Sequence, residues 1–322
     1  MCAKGIARAS AVTKTGTRAS TRAIAKAPGK LVISGAYAVL EGAPAIVTAV
    51  DRYAVADTSR RATFEAPEAR AAIAHGSLPH VDVSSLRQHG RKLGLGSSAA
   101  IVVASLGAVT LADEPQLTNE QLREQVCMRA VVAHREAQGG GSGIDVVTST
   151  FGKTQVCAIV DGELQHNVLT LPDDLCMSVL AANASSSTPR MLSIVRSWAT
   201  ANQSSRIAYA HLIDALTRAS RDATRATCAQ AFVRAIVAQT RLLAELGRRS
   251  GAPIVPDALH ALFEQALCDE VAVHPSGAGG GDIVLCIGKR QACDLWTRRL
   301  IQNGYEKLTL SINAEGLERV DL

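Results

Sequence analysis

Hydrophobic positions occur both in short runs and in longer periodic segments, and this mixture predicts a fold of strands and helices. Short β-type runs are found at residues 31–33, 45–50 and 53–56, and they are broken by glycine, proline or polar residues. Alternation of apolar and polar residues at 81–83 predicts another strand. The apolar segment 97–112 is long enough to predict a helix.

A second helix is predicted over residues 119–136, because Thr118 can cap its first turn. Residues 151–160 are strand-like and end at an Asp-Gly turn signal. A change of organisation near Leu171 predicts three parts: a basic tail over 1–21, one domain over 22–171 and a second over 172–322.

The second half of the chain alternates between the same two kinds of element. We predict a strand at 176–182, helices at 189–218 and 222–246, a shorter helix after Pro256, a strand at 283–287, a helix at 290–302 and a strand at 306–312. The pattern is that of an α+β protein in two halves. We find no internal repeat in the sequence.

Composition indicates how this core is filled and which partners are excluded. The 322 residues are 47% hydrophobic but only 3% aromatic, so alanine and valine must do most of the filling. The net charge of +5 is modest, and no basic patch is interleaved with aromatic residues. We therefore expect small phosphorylated ligands rather than nucleic acid.

The eight cysteines form no C-x-x-C pair, which argues against a structural zinc site or a thioredoxin-type motif. We expect most of them to be buried, reduced thiols. Such thiols are typical of a reducing compartment, and we predict a cytoplasmic protein.

The first 21 residues are basic and contain Ser and Thr, with no acidic residue before Glu41. They resemble an organellar transit peptide, but we prefer the interpretation of a disordered tail or of an upstream start codon. The uncharged stretch 94–112 approaches the length of a membrane span. Because its beginning is rich in Gly and Ser and no second span follows, we interpret it as a buried helix and predict no membrane association.

The sequence GLGSSAA at residues 94–100 precedes this predicted helix. Glycines allow a close backbone approach, and a helix amino terminus attracts phosphate; the hydroxyls of Ser97 and Ser98 could hold a metal. The segment is not a Walker A loop, because it lacks Gly-Lys-Ser/Thr. It matches the dinucleotide pattern G-x-G-x-x-A, but residues 84–92 before it are polar and cannot form the hydrophobic strand that pattern requires. An ordinary turn before a core helix is the remaining alternative.

Two further glycine-containing segments accompany it. Lys30 follows a Pro-Gly turn and enters a predicted buried strand, so it can be held rigidly and aimed at a phosphate. The sequence PSGAGGGD at 275–282 precedes another strand, and it is either a tight passage over a ligand or a flexible loop.

In this order and spacing, the three segments resemble the signature of the GHMP kinases, a family of small-molecule kinases. The resemblance extends from about Lys26 to the end of the chain. It implies an amino-terminal α/β domain with a left-handed crossover and a ferredoxin-like carboxy-terminal domain. The active site would then lie in the cleft between them.

Three strings are similar to those of the phosphomevalonate kinases within this family: GRKL at 90–93, AHREAQ at 133–138 with the following GGGSGID, and ASSSTP at 184–189. The resemblance implies transfer of phosphate from ATP, with Mg²⁺, to phosphomevalonate in the mevalonate route to isoprenoids. Two alternatives stay open: a related kinase acting on mevalonate or homoserine, and a sensor that binds nucleotide without turnover. The protein would be a monomer or a homodimer.

The resemblance also implies roles for individual residues. Asp145 matches the catalytic aspartate and Lys30 its lysine partner, with Lys26 as a further catalytic cation. The residues that would bind ATP are Lys92, Gly94, Leu95, Gly96, Ser97, Ser98 and Ala99, with Ser97 or Ser98 near Mg²⁺. The residues that would bind substrate are Ser186, Ser187, Thr188, Arg190, Gly277, Ala278, Gly279, Gly280 and Asp282. For His134, Arg135 and Glu136, ligand contact and a solvated helix end are both open.

The sequence departs from the family pattern in two places. Ala36 occupies a position where such kinases usually carry Glu, which removes a carboxylate from near the site. The separation between the first two motifs is also short, so we expect a reduced adenine-binding structure.

Overall fold

The computed structural model describes residues 22–88, 90–182 and 187–321. The strands of this described part are β1 Ile24–Ser34, β2 Ala45–Arg61, β3 Pro79–Asp82, β4 Arg87–Gln88, β5 Arg91–Lys92, β6 Thr154–Val160, β7 Glu163–Val168, β8 Cys176–Ala181, β9 Ala272–Pro275, β10 Ile283–Gly288, β11 Glu306–Lys307 and β12 Glu318–Arg319. Its helices are α1 Pro67–Ala72, α2 Ser97–Asp113, α3 Asn119–Gln138, α4 Ile144–Phe151, α5 Thr188–Ala201, α6 Gln203–Arg225, α7 Ala229–Ser250, α8 Asp257–Ala266 and α9 Arg290–Gln302.

The first sheet has the antiparallel order β12-β1-β2-β6-β7, and β3 also pairs with β2. Strand β2 is long enough to pair with β6 at its start, where Ala45 faces Cys157, and with β3 near its end, where Ala56 faces Val81. Helix α2 packs on β1 and β2, and α1 and α3 pack against α2. The sheet therefore carries the helix that begins at the glycine-rich segment.

The second sheet has the antiparallel order β11-β8-β10-β9. Numbered along the chain, this is the order 4-1-3-2 of a ferredoxin-like unit, in which two strand–helix–strand units interlock. Helix α9 packs on β8 and β10, while α7 packs on β9 and β10. The predicted fold class, an α/β half followed by a ferredoxin-like half, is confirmed.

The chain passes from the first sheet to the second between β7 and β8, where the predicted boundary at residues 171–172 lies. The last strand, β12, returns to the edge of the first sheet, with Arg319 opposite Ala25. The division into two domains stays a prediction, and its second domain would have to include this returning strand.

Small side chains fill the core, as composition indicated. In α2, Ala99, Ala100, Ala104 and Ala108 are fully buried. A Cβ added at Gly107 would lie 2.6 Å from Cδ1 of Leu317, so the backbone of this helix is in close contact with the carboxy-terminal segment. Because the core has few aromatic side chains, the helices and strands pack at short distances from each other.

Several element boundaries differ from the prediction. Residues 45–50 and 53–56 belong to one strand, β2. The predicted helix at 189–218 is two helices, because extended Asn202 ends α5 and its side chain accepts a hydrogen bond from the Ser205 amide (2.9 Å) to cap α6. Of the predicted strand at 306–312, only Glu306–Lys307 is a strand. The predicted Thr118 cap is confirmed, with the Gln121 amide donating to Thr118 Oγ1 at 3.2 Å.

Candidate active site

A cleft of about 920 Å³ lies between the two halves of the molecule, and parts of all three glycine-containing segments line it. The strand β1, the start of α2, the loop before α4, helix α5 and the loop between β9 and β10 each contribute residues. This volume is at the upper end of the range for small-molecule sites, so the cleft can hold two ligands side by side.

The GLGSSAA segment forms the loop that leads into α2. Gly96 precedes the helix with φ +73°, a left-handed conformation that favours glycine. The first helical residues, Ser97 and Ser98, line the cleft together with Gly94 and Gly96. The free amides at this helix end, and the dipole of the 17-residue helix behind them, make it a suitable phosphate site.

Lys30 is held against this loop. Its amide donates to the carbonyl of Leu95 at 2.8 Å, and a Cβ added at Gly96 would lie 2.7 Å from Lys30 Cε. The aliphatic part of the lysine therefore crosses the glycine, and a larger residue at position 96 would displace it. Lys92, at the end of β5, adds a second cation to this side of the cleft.

Asp145 lies in the first turn of α4, after Gly143 with φ +82°. The Arg135 guanidinium holds the preceding loop by donating to the carbonyls of Gly141 (3.1 Å) and Ser142 (2.7 Å). One oxygen of Asp145, Oδ1, accepts from the Val146 amide at 3.0 Å, and its side chain keeps 26% of its exposure. The carboxylate is thus fixed while it still faces the cleft.

Two contacts place α4 and β1 in one rigid frame. Ser149 Oγ donates to the carbonyl of Pro28 at 2.7 Å, close to Lys30 along the strand. Helix α4 also packs directly on β1. The structure therefore brings the predicted aspartate and lysine to the same cleft, although among the described residues no ion pair joins them.

A group of polar side chains, two of them buried, surrounds the Ser98 hydroxyl. Glu68, from α1, accepts a hydrogen bond from the Ser98 hydroxyl. It accepts a second hydrogen bond from Gln138 Nε2 at 3.1 Å. The Nε2 atoms of His134 and Gln138 each lie 3.1 Å from Ser98 Oγ. His134 Nε2 also lies 3.8 Å from Asp145 Oδ2. Both Glu68 and His134 are buried at 7% exposure, so this is not the solvated helix end that was left open for His134.

The third segment contributes Gly277, Ala278 and Asp282 to the cleft. The Tyr37 hydroxyl donates to the Ala278 carbonyl at 2.7 Å, and burial raises the pKa of Tyr37 far above its usual range, which keeps the hydroxyl protonated. A Cβ added at Gly94 would lie 2.8 Å from Asp282 Oδ2, so this segment closes directly on the phosphate loop.

Helix α5 forms the opposite wall. Its first residues, Ser187 to Pro189, line the cleft, and Arg196 and Ser197 follow about two turns later on the same face. Arg196 is exposed to the cleft and to solvent. It is the one arginine among the described residues that line this cavity.

Not every predicted site residue lines the cleft. The side chains of Leu95 and Ala99 are buried in the core, and Gly279 and Gly280 contact Ile254 instead. Arg190 is exposed and outside the cleft. Ser186 lies outside the described residues. The predicted residues that do line the cleft are Lys30, Lys92, Gly94, Gly96, Ser97, Ser98, Asp145, Ser187, Thr188, Gly277, Ala278 and Asp282.

Lys26 is directed elsewhere. Its Nζ lies 2.8 Å from Glu318 Oε1, and the hydrogen bond to that carboxylate raises the lysine pKa. The ammonium group also lies 4.8 Å from the centroid of the Tyr53 ring. Lys26 therefore joins β1 to β12 and does not line the cleft, so we remove it from the catalytic candidates.

Sequence reasoning missed Glu68, Gln138 and Arg196. For Arg196 a signal existed, because it lies seven residues after Pro189 and so on the same helix face. For Gln138 the signal was its spacing of four from His134. Glu68 gave no local signal, because it reaches Ser98 from a separate short helix.

The described residues contain no cluster of three or more His, Cys, Asp or Glu side chains arranged to hold a metal ion alone. Magnesium, however, is usually bound by one or two carboxylates together with substrate phosphates. The oxygen donors of Asp145, Glu68 and Ser97 fit that requirement, whereas the Ser98 hydroxyl is already engaged by Glu68, His134 and Gln138. In the described part of the chain, no helix has the length and apolar character needed to cross a membrane.

Comparisons with known proteins agree with this fold. The family model described as GHMP kinases N terminal domain matches residues 61–153. The phosphomevalonate kinase of Streptomyces sp. (strain CL190) is 28% identical over 342 residues, which cover 83% of this chain and 89% of that protein.

Two solved structures share the fold. The Lin0012 protein from Listeria innocua superposes with a TM-score of 0.81 and 21% identity, covering 94% of this chain and all of that one (100%). The phosphomevalonate kinase of Streptococcus pneumoniae, in complex with phosphomevalonate and AMPPNP, superposes with a TM-score of 0.73 and 17% identity, covering 90% of this chain and 99% of that one.

The family resemblance drawn from the three segments is confirmed by the match of residues 61–153 to the GHMP kinases N terminal domain, and the protein is a kinase, that is, a phosphotransferase. Within that family, the resemblance is to phosphomevalonate kinase in particular.

Proposed function

We propose that this kinase transfers the terminal phosphate of ATP to the phosphate group of phosphomevalonate, in the mevalonate route to isoprenoids. The distribution of cations in the cleft carries the proposal. Lys30 and Lys92 belong to the phosphate-loop side, whereas Arg196 belongs to the α5 wall. Cations on two walls suit two anionic ligands. The curated Streptomyces relative, named a phosphomevalonate kinase, also supports this choice of acceptor.

The charge of the acceptor determines what the site must do. A phosphate monoester has its second pKa near 6 and is largely dianionic at neutral pH, so little deprotonation is needed before it attacks. The harder task is to bring two polyanions together, which requires positive charge and fixed dipoles. In this account Lys30 and the start of α2 stabilise the transferred phosphoryl group.

The remaining residues orient the two ligands. Gly94 to Ser98 hold the ATP phosphates, and Arg196 with Ser187 and Thr188 holds the acceptor phosphate. Asp145 orients the attacking oxygen and, with Ser97, would supply oxygen ligands for Mg²⁺, which would neutralise charge on the phosphates when bound.

A coupled assay of ADP release, with ATP, Mg²⁺ and one acceptor at a time, tests the proposal. Turnover with phosphomevalonate and none with mevalonate or homoserine is the expected result. Turnover with mevalonate alone would make the protein a different kinase of the same family. Nucleotide binding without turnover on any acceptor would favour the sensor alternative.

A further inference from the structure

The Ser98 hydroxyl has used all of its hydrogen-bonding capacity within the protein. A hydroxyl has one hydrogen to donate and two lone pairs to accept with. Ser98 donates its hydrogen to the Glu68 side chain. Gln138 Nε2, which can only donate, lies 3.1 Å from the same oxygen and occupies one lone pair.

The remaining lone pair of Ser98 faces His134. Nε2 of that ring lies 3.1 Å from Ser98 Oγ and 3.8 Å from Asp145 Oδ2. Both neighbours are acceptors at this point, so a bare nitrogen lone pair would repel them. His134 Nε2 must therefore carry a hydrogen and donate it toward Ser98 and Asp145.

From these contacts we infer that Glu68, His134 and Gln138 are positioning residues. They hold the Ser98 hydroxyl, at the start of the phosphate-binding helix, in a fixed relation to the Asp145 carboxylate. The inference rests on the proposed function, because that function assigns Ser98 to the phosphate-binding loop and Asp145 to the attacking oxygen. The contacts themselves do not depend on which acceptor is used.

The geometry explains why side chains are needed for this task. Ser98 belongs to α2 and Asp145 to α4, and Glu68 belongs to a third helix, α1. The loop between α3 and α4 contains Gly139 to Gly141, around which an added Cβ would meet nothing within 4 Å. Arg135 holds this loop through the carbonyls of Gly141 and Ser142, and buried His134, near the end of α3, adds a contact to the Asp145 side chain itself.

Glu68 also supplies a carboxylate to a cleft in which Ala36 occupies the position where such kinases usually carry Glu. Ala36 and Glu68 both line the cleft, and Glu68 is buried at 7% exposure. A carboxylate is therefore present in the site, but it arrives from α1 rather than from the first motif, and its contact is with the phosphate loop.

A double-mutant cycle on Ser98 and His134 tests the inference. We expect Ser98→Ala and His134→Leu each to lower kcat by about 30-fold or more while the KM for ATP changes less than about threefold, and the double variant to lose no more than the worse single one. His134→Gln keeps an N–H donor at a similar position, and we expect it to recover activity to within about fivefold of wild type. Losses that multiply in the double variant, or His134→Gln no better than His134→Leu, would overturn the inference.

Two controls separate loss of positioning from loss of fold. Glu68→Gln keeps the size of the side chain but replaces one carboxylate oxygen by an amide donor, which disturbs the contacts with Ser98 and Gln138, so it should lower kcat without unfolding the protein. Glu136→Gln, on the exposed face of α3, should leave kcat unchanged. Equal effects of the two variants would contradict a role for Glu68.

A readout that needs no turnover separates this inference from the proposed function. Proton–nitrogen NMR of the histidine rings in the ligand-free protein, assigned with His134→Gln, should show hydrogen on Nε2 of His134. A neutral ring with hydrogen only on Nδ1 would overturn the network even in a fully active kinase. An Nε2 hydrogen in a protein inactive on phosphomevalonate would instead leave the network intact and refute the acceptor.

Discussion

At the scale of single residues, the proposed phosphate acceptor makes charge neutralisation a larger task for this site than base catalysis. Lys30 is held across Gly96 with its head in the cleft, and Asp145 is fixed at the start of α4. If the acceptor is already a dianion, the aspartate has little proton to remove, so its contribution is mainly orientation. In the proposed reaction, Lys30 would face the charge that develops during transfer.

We therefore predict that Lys30→Met costs at least as much kcat as Asp145→Asn, with a loss of about 100-fold or more for the lysine variant. Turnover of both variants under saturating ATP and phosphomevalonate checks this. Lys289→Met, an exposed lysine before α9, serves as the matched control and should have wild-type kcat. A far larger loss in Asp145→Asn would indicate an acceptor alcohol that needs a base.

Arg196 should set the affinity for the acceptor. We expect Arg196→Gln to raise the KM for phosphomevalonate by about 10- to 100-fold, because a charge-assisted hydrogen bond to phosphate is lost, while the KM for ATP stays within about twofold. Steady-state kinetics in both substrates provide the measurement. Arg190→Gln, on the same helix but outside the cleft, is the control. If the two variants behaved alike, Arg196 would not be the anion-binding residue.

The positions of Gly94, Gly96 and Gly277 along the cleft could be predicted, because glycines with positive φ values leave a local pattern in the sequence. Residues that reach the site across the fold could not. Glu68 carries no distinguishing neighbours, and only the packing of α1 brings it to the cleft, whereas the sole sequence signal for Arg196 was its spacing of seven from Pro189. For Lys26 the sequence predicted a site residue that does not line the cleft. The first motif includes this lysine, but Glu318 of β12 binds it outside the cleft.

At the scale of elements, Gln239 on α7 joins the two halves beneath the cleft. Its Oε1 accepts from the Gly35 amide at 2.9 Å, and its Nε2 donates to Ser34 Oγ at 2.9 Å. Ser276 makes a second connection by exchanging hydrogen bonds with the Val32 backbone at 3.0 and 3.1 Å. Strand β1 is thereby tied to both α7 and the third glycine segment.

Gln239→Leu should lower the free energy of unfolding by about 1–3 kcal/mol, because the buried Gly35 amide loses its partner. Urea unfolding followed by circular dichroism measures this. Gln230→Leu removes only an exposed hydrogen bond to Glu270 and should cost less than about 0.5 kcal/mol. A loss in Gln239→Leu as small as in this control would show that the bridge contributes little.

Element type was largely predictable from periodicity, whereas element limits were not. The fusion of two predicted strands into β2 depends on β3 and β6 pairing with different parts of it. The break between α5 and α6 depends on a single capping residue, Asn202, within an otherwise helical stretch. Hydrophobic periodicity alone predicts neither the single strand β2 nor the break between α5 and α6.

At the scale of the whole molecule, a buried histidine links stability to pH. His274 on β9 is almost fully buried, with Nδ1 2.8 Å from Thr240 Oγ1 on α7, and burial lowers its pKa to about 3. In the unfolded chain an ordinary histidine has a pKa near 6.5. Between these values the unfolded state binds a proton that the native state does not, so stability falls as the pH falls below about 6.5.

Each pH unit in that window should cost about 1.4 kcal/mol from this residue, or about 2 kcal/mol at pH 5. Urea unfolding at pH 7 and pH 5 measures the total loss. His274→Asn removes the titrating group, so the difference between the two pH values should shrink by about that amount. An unchanged difference in His274→Asn would contradict the assignment to this residue.

The two halves together create a cleft with cations on both walls. In the proposed reaction, the terminal phosphate of ATP is transferred onto the phosphate of phosphomevalonate. Phosphorus NMR of a reaction with ATP, Mg²⁺ and phosphomevalonate tests it most directly. We predict that the phosphomevalonate singlet is replaced by a pair of mutually coupled signals from a new diphosphate ester, as ADP forms. Formation of a second, uncoupled monoester signal, or no consumption of ATP with this acceptor, would contradict the account.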